Sequence, residues 1–165
     1  MPTQVYPEDY SCILEPVDGK GGLFIRNLEA AQNMNTLKSK PHSETEHQIK
    51  AVLTAAKGVE LGHSRTDVPY FLYVPADDHE SFDLSKYFHQ AADYINECLQ
   101  RTSIMVHCLA GVSRSVSLVL AFFIKHLKYS YQQAYDLVKS RRRIIHPNDG
   151  FIQHLKNLER ELSSH

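Results

Sequence analysis

The sequence predicts an α/β domain with a small central mixed sheet flanked by helices, and within it a strand, a loop and a helix that together cradle an anion. Three observations carry this. Short runs of strand length and apolar character stand at Gly22–Ile25, Ile49–Leu53, Tyr70–Val74 and Ser103–His107. From Leu84 onward apolar residues recur at the helical period. The length, 165 residues, is enough for one well-buried core and too short for two comfortable ones, so a single domain over 1–165 is expected.

Taken in order, residues 1–20 form an irregular N-terminal segment, closed by a turn at Gly19, Gly21 and Gly22 ahead of the first strand. Leu28 to Asn33 has room for one or two helical turns. Residues 33–48, with Pro41 and many polar side chains, predict an exposed loop. Leu84, Phe88, Ala91, Ile95 and Leu99 make one apolar helix face that also carries Cys98, which predicts a buried, inert thiol rather than a redox partner. Helices are expected from Ser115 to about Leu127 and from Ser130 to about Arg141, the second opened by Ser130 and Gln133 at capping-box spacing. Pro147-Asn148-Asp149-Gly150 breaks the chain before a last helix with Phe151, Leu155, Leu158 and Leu162 on its inner face.

Composition excludes several classes. Apolar residues make up 42% and charged residues 22%, close to the globular average, which argues against disorder. The longest apolar stretch, Val116 to Ile124, is too short to span a bilayer and is interrupted by Ser117, so no membrane partner is expected. Met1-Pro2-Thr3-Gln4 has neither a basic nor an apolar leader region, and position 2 is not the glycine that N-myristoylation requires. Cys12, Cys98 and Cys108 give an odd count without a C-x-x-C pair, which fits a reducing compartment. The expected location is the cytoplasm, with the nucleus as a second compartment. His42 and His47 are five apart in a polar stretch, and no histidine shares a helix face with a cysteine or carboxylate at ligand spacing, so no metal site is expected. Net charge is −1, yet Arg101 to His146 holds eight basic residues against the single acid Asp136. That basic segment points equally to an anionic ligand and to ordinary helix surface.

The chemistry concentrates in Val106-His107-Cys108-Leu109-Ala110-Gly111-Val112-Ser113-Arg114-Ser115, between a buried strand and a helix. Such a loop aims successive backbone N–H groups and the positive end of a helix at one point. Gly111 permits the backbone angles of the curl. Arg114, six positions after Cys108, supplies a planar guanidinium suited to two phosphate oxygens. The same amides, dipole and cation favour the thiolate at Cys108, bringing such thiols to pKa values of about 3.5 to 7.5. A buried cysteine with a surface arginine nearby would leave the glycine and the Ser/Arg cluster without a reason.

His107-Cys108-x-x-Gly111-x-x-Arg114-Ser115 resembles the signature of the cysteine-dependent dual-specificity phosphatases, and the resemblance extends from about Tyr70 to Leu158. It implies a sheet with helices around it, a phosphocysteine intermediate on Cys108, and neither metal nor cofactor. It further implies that the amides of Leu109, Ala110, Gly111, Val112, Ser113 and Arg114 hold the phosphoryl oxygens, and that Ser115 stabilises the departing thiolate. Asp78, aligned through Phe82-x-Leu84, takes the place of the general acid, with its neighbour Asp77 an ordinary loop carboxylate. His107 orients the loop by hydrogen bonding, Asn148 braces it, and Arg143 aligns with a position that can touch a second phosphate. The residues themselves favour a solvated basic run over Arg141 to Arg143, near a helix C-terminus, ahead of that contact.

No lysine lies inside the loop, which favours phosphorylated proteins over phosphoinositides as substrates, with phosphotyrosine and phosphoserine or phosphothreonine both accepted. The absence of room for a docking domain resembles the small, atypical members. Two other readings are a catalytically dead phosphate-binding module, disfavoured because cysteine, arginine and acid are all kept, and an RNA 5′-triphosphatase, disfavoured by the near-neutral charge; nucleic acid is therefore not the expected partner. No particular oligomeric state follows.

Overall fold

A computed structural model describes residues 10–17, 19–32, 49–64 and 66–164. The loop expected over 33–48, with His42 and His47, lies outside the described residues. Five strands form one sheet: β1 Tyr10–Leu14, β2 Leu23–Arg26, β3 Ile49–Ala55, β4 Tyr70–Val74 and β5 Ser103–His107. Their order is β1-β2-β5-β3-β4. β1 runs antiparallel to β2 and every other pairing is parallel, so the sheet is mixed as expected. β1 is an addition to the sequence reading, which left residues 1–20 irregular.

The alternation of side chains along the strands builds two cores. Leu23, Ile25, Leu53, Ile104 and Val106 face the larger one, under the helices. Phe24, Val52 and Met105 face the smaller, with Cys12, Ala31, Ile49 and Val68. β5 lies between β2 and β3 and is buried at all five positions. A continuous rather than alternating apolar run is what a parallel strand covered on both faces requires.

The helices are α1 Leu28–Gln32, α2 Phe88–Leu99, α3 Arg114–His126, α4 Tyr131–Arg141 and α5 Asp149–Ser163. The helix expected from Leu84 begins instead as a 3-10 turn, Leu84–Tyr87, because the Asp83 carboxylate accepts from the Ser85 amide at 3.1 Å and tightens the entry. α3 is buried at every position from Ser115 to Ile124, consistent with its nearly unbroken apolar sequence. The capping box forms as the spacing predicts: Gln133 N–H donates to Ser130 Oγ at 3.1 Å, and Ser130 N–H donates to Gln133 Oε1 at 2.9 Å. Among the described residues no helix is long and apolar enough to cross a membrane.

Candidate active site

β5 ends at His107 and α3 begins at Arg114, so residues 108–113 form a loop at the carboxyl ends of the parallel strands β2, β3 and β5. Open α/β sheets place their ligand sites at that edge. The loop is shaped from outside. His107 Nδ1 meets the Cys108 carbonyl at 3.1 Å, and Leu28 N–H donates to the Leu109 carbonyl at 2.8 Å. The Arg142 guanidinium donates through Nη2 to Ala110 O at 3.1 Å and through Nε to Gly111 O at 2.7 Å. His146 N–H donates to Val112 O at 2.8 Å. Five consecutive carbonyls are thus held by groups outside the loop.

There are no cis peptide bonds among the described residues, and in a trans peptide the N–H points opposite to the carbonyl it is bonded across from. Holding the carbonyls outward therefore turns the amides of residues 109–113 inward. The Gly111 N–H reaches Cys108 Sγ at 3.3 Å, as this geometry demands. Gly111 itself has φ +69, a left-handed conformation that favours glycine, and a Cβ there would stand 2.6 Å from Arg142 Nη2.

Cys108 is 2% exposed, and its Sγ lies 3.2 Å from Ser115 Oγ. Burial, the largest single influence, raises the thiol pKa. The Ser115 hydroxyl with the amides of Ser115, Gly111 and Val112 outweighs it, and the net displacement is downward. Cys98, buried on the helix face where the sequence puts it, shows the contrast: burial, only partly offset by a hydrogen bond from Tyr94, pushes it up to about 11.

The His107 ring is bonded on both sides, to the loop at one nitrogen and to β3 at the other. Because a carbonyl can only accept, Nδ1 carries the proton; Nε2 then accepts from Thr54 Oγ1 at 2.7 Å. Burial pushes this imidazole down to about 4. Arg114 is partly buried, and its Nη1 donates to Ala76 O at 3.0 Å, two residues before Asp78. Asp78 is exposed, and its Oδ1 accepts from Asn148 Nδ2 at 3.0 Å. Asp77, also exposed, has no such bond among the hydrogen bonds of the described residues. Gly150 brings α5 against this acidic loop, since a Cβ there would come within 2.0 Å of Glu80 O.

Two expectations need correction. The Asn148 side chain does not brace the cradle: it holds Asp78 and caps α5 by accepting from Phe151 N–H at 2.9 Å, and only its backbone N–H reaches the loop, at Ser113 Oγ, 3.1 Å away. Nor is Arg141 to Arg143 a uniformly solvated run: Arg141 and Arg143 are exposed, whereas Arg142 is 2% exposed behind the loop. Of the eight basic residues in the segment, only Arg114 and Arg142 have hydrogen bonds that tie them to the cradle or the acid loop. Arg101 pairs with Glu97 at 3.8 Å and Lys125 with Asp93 at 2.8 Å, which is ordinary surface. Thr54 and Arg142 are the site residues that the sequence reading missed. Among the described residues no three His, Cys, Asp or Glu side chains gather as a metal-binding set.

A thiol at the focus of inward-turned amides, with an arginine at the start of the following helix that bonds the segment carrying a carboxylate, defines a cysteine-dependent phosphate-ester hydrolase fold. Residues 32–161 match the family model for the dual specificity phosphatase catalytic domain, and the chain belongs to that family. It is therefore a protein phosphatase domain. Dual specificity protein phosphatase 1 of Arabidopsis thaliana is 35% identical over 142 residues, covering 86% of this chain and 67% of that protein. Human dual specificity protein phosphatase 9 is 43% identical over 94 residues, covering 56% of this chain and 24% of that longer protein. The crystal structure of human DUSP28 superposes with a TM-score of 0.81 at 20% identity, covering 98% of this chain and 99% of that one, which shows the shared fold.

The neutral His107 makes stability pH-dependent in a defined sense. Unfolded, its imidazole binds a proton near pH 6.5; folded, it resists protonation until about 4. Its contribution is complete above pH 6.5 and is lost as pH falls toward 4, by up to about 1.4 kcal/mol per pH unit. Urea unfolding of wild type and H107N at a series of pH values in that window should show the gap between them narrowing as pH falls; a constant gap contradicts the assignment. Asn148→Ser keeps a capping oxygen for α5 but cannot reach Asp78. Turnover of a phosphotyrosine peptide should drop about three- to tenfold, the worth of one partly solvated hydrogen bond to a carboxylate, with little change in melting temperature.

Proposed function

We propose that this chain hydrolyses phosphotyrosine and phosphoserine or phosphothreonine in cytoplasmic proteins through a phosphocysteine intermediate on Cys108. The observation that carries this reading is the Cys108 sulfur at the focus of the Gly111 amide and the Ser115 hydroxyl, with its pKa drawn down in spite of burial. In the first step the thiolate attacks phosphorus in line, the P–O bond to the side chain breaks, and Asp78 gives its proton to the departing oxygen. In the second, Asp78 takes a proton from water, water attacks phosphorus, and the P–S bond breaks, returning thiolate and inorganic phosphate. The Ser115 hydroxyl then supports the thiolate as a leaving group.

The amides of residues 109–114 and the Arg114 guanidinium stabilise the equatorial oxygens, where charge accumulates in the transition state. Arg114 and Asp78 act together because Arg114 donates to Ala76 O, on the segment that carries the acid. Protein substrates are favoured over inositol phosphates by a loop without lysine, Leu109-Ala110-Gly111-Val112-Ser113, of which Leu109 is 49% exposed at the mouth. Arg143 is exposed on the stretch between Arg142 and His146 that runs along the loop, which supports a contact to a second phosphate on the substrate. The family match does not favour the phosphate-binding module or the RNA 5′-triphosphatase.

Hydrolysis of p-nitrophenyl phosphate and of a phosphotyrosine peptide, in EDTA, tests the reading. Cys108→Ser should abolish both activities. Asp78→Ala should lower turnover of the peptide by about 10²-fold or more and that of p-nitrophenyl phosphate by less, because nitrophenolate leaves without a proton. Full activity in Cys108→Ser would sink the nucleophile assignment, and equal losses on the two substrates would sink Asp78 as the acid.

A further inference from the structure

Arg142 takes no part in the bond-making and bond-breaking set out above, yet its buried side chain is bonded to the loop on one side and to β1 on the other. It is the C-terminal cap of α4, and its φ of −141 and ψ of 96 put the chain into an extended form there. The change of direction sends the Arg142 side chain inward while Arg141 and Arg143 stay exposed. The residue is 2% exposed. Its Nε and Nη2 donate in parallel to two successive carbonyls, Gly111 O at 2.7 Å and Ala110 O at 3.1 Å. Its Nη1 points the other way, to Ser11 Oγ on β1 at 3.0 Å. A planar fork with rigidly spaced donors suits this arrangement, and a lysine ammonium does not.

We propose that Arg142 is a positioning residue of the phosphate cradle: by gripping the carbonyls of Ala110 and Gly111 it aims the amides of Gly111 and Val112 at the sulfur and at the phosphoryl oxygens. The link is covalent geometry. The Ala110 carbonyl and the Gly111 N–H belong to one planar peptide, as do the Gly111 carbonyl and the Val112 N–H. Fixing each carbonyl outward fixes each N–H inward. Those two amides are among the donors that favour the Cys108 thiolate, and the Gly111 N–H stands 3.3 Å from its sulfur. Gly111 completes the fit, since any Cβ would collide with the Arg142 Nη2. The third bond, to Ser11, anchors the fork to β1, so the N-terminal strand supports the catalytic loop through this side chain.

The test uses the full chain and needs no turnover, so its failure leaves the hydrolase reading intact. Alkylation of Cys108 by iodoacetamide is followed across pH in wild type, R142M, R142K and R141M, with and without inorganic phosphate as a protecting ligand. Cys98, held up at about 11, and the buried Cys12 react slowly enough to be separated by peptide mapping. R142M should move the alkylation midpoint up by about one pH unit, about tenfold less thiolate at a given lower pH, and weaken phosphate protection about tenfold. R142K should fall between R142M and wild type. R141M removes the same charge from an exposed neighbour and should behave as wild type. Folded R142M with a wild-type midpoint and wild-type phosphate protection overturns the proposal, as does an equal shift in R141M. Should R142M fail to fold by circular dichroism, R142K decides: an intermediate midpoint supports the role and a wild-type one overturns it.

Discussion

The structure depends on a backbone fact: a peptide plane whose carbonyl is held on one side must show its N–H on the other. From Cys108 to Val112 each carbonyl has a donor outside the loop, and these come from four places: the His107 ring, the start of α1, the Arg142 guanidinium and the His146 amide. A free loop of six residues would spread its amides over many directions. Held this way, the amides converge before any phosphate arrives, and a preorganised set of dipoles need not be reoriented during the reaction. The low pKa direction of Cys108 follows, because the sulfur sits where those dipoles point.

That constraint explains why so much of the molecule is spent on positioning. β5 must be central, so that the loop emerges between β2 and β3 with α1 beside it. α3 must be buried almost throughout, so that its first turn cannot shift relative to the sheet. α4 must end where it does for Arg142 to turn inward, and the segment after it must run back along the loop for His146 to reach Val112. The acid is handled more loosely. Asp78 is exposed and bonded by Asn148, while the Arg114 bond to Ala76 O and the tight approach at Gly150 fix the loop that carries it. A rigid nucleophile site beside a more open acid loop suits the reaction proposed, in which the Asp78 carboxyl group serves two different steps.

Much of this was legible in the sequence. Cys108, Gly111, Arg114 and Ser115 were readable because short-range spacing sets a strand-loop-helix cradle, and periodicity located β5, α2, α3 and α4 to within a few residues. β1 was missed because Tyr10-Ser11-Cys12-Ile13-Leu14 has only its pairing with β2 to make it a strand, and register with a distant segment leaves no local mark. Arg142 was missed for a related reason. In Arg141-Arg142-Arg143 the three side chains are chemically identical, and which one turns inward is decided by the backbone leaving α4 in an extended form. Asn148, expected to brace the cradle, turns its side chain to Asp78 and to the α5 cap instead, since a cap residue's spare amide group can reach whatever loop the tertiary fold brings to it. Thr54 pairs with His107 only through the parallel register of β3 and β5.

The most direct measurement is a crystal structure of the protein with orthovanadate bonded to Cys108. The account predicts the amides of residues 109–114 within about 2.7–3.2 Å of the equatorial vanadate oxygens, with the carbonyls of residues 108–112 still held by the same outer donors. A loop that must flip the Ala110–Gly111 or Gly111–Val112 peptide to receive the oxyanion, releasing Arg142 in doing so, would contradict it.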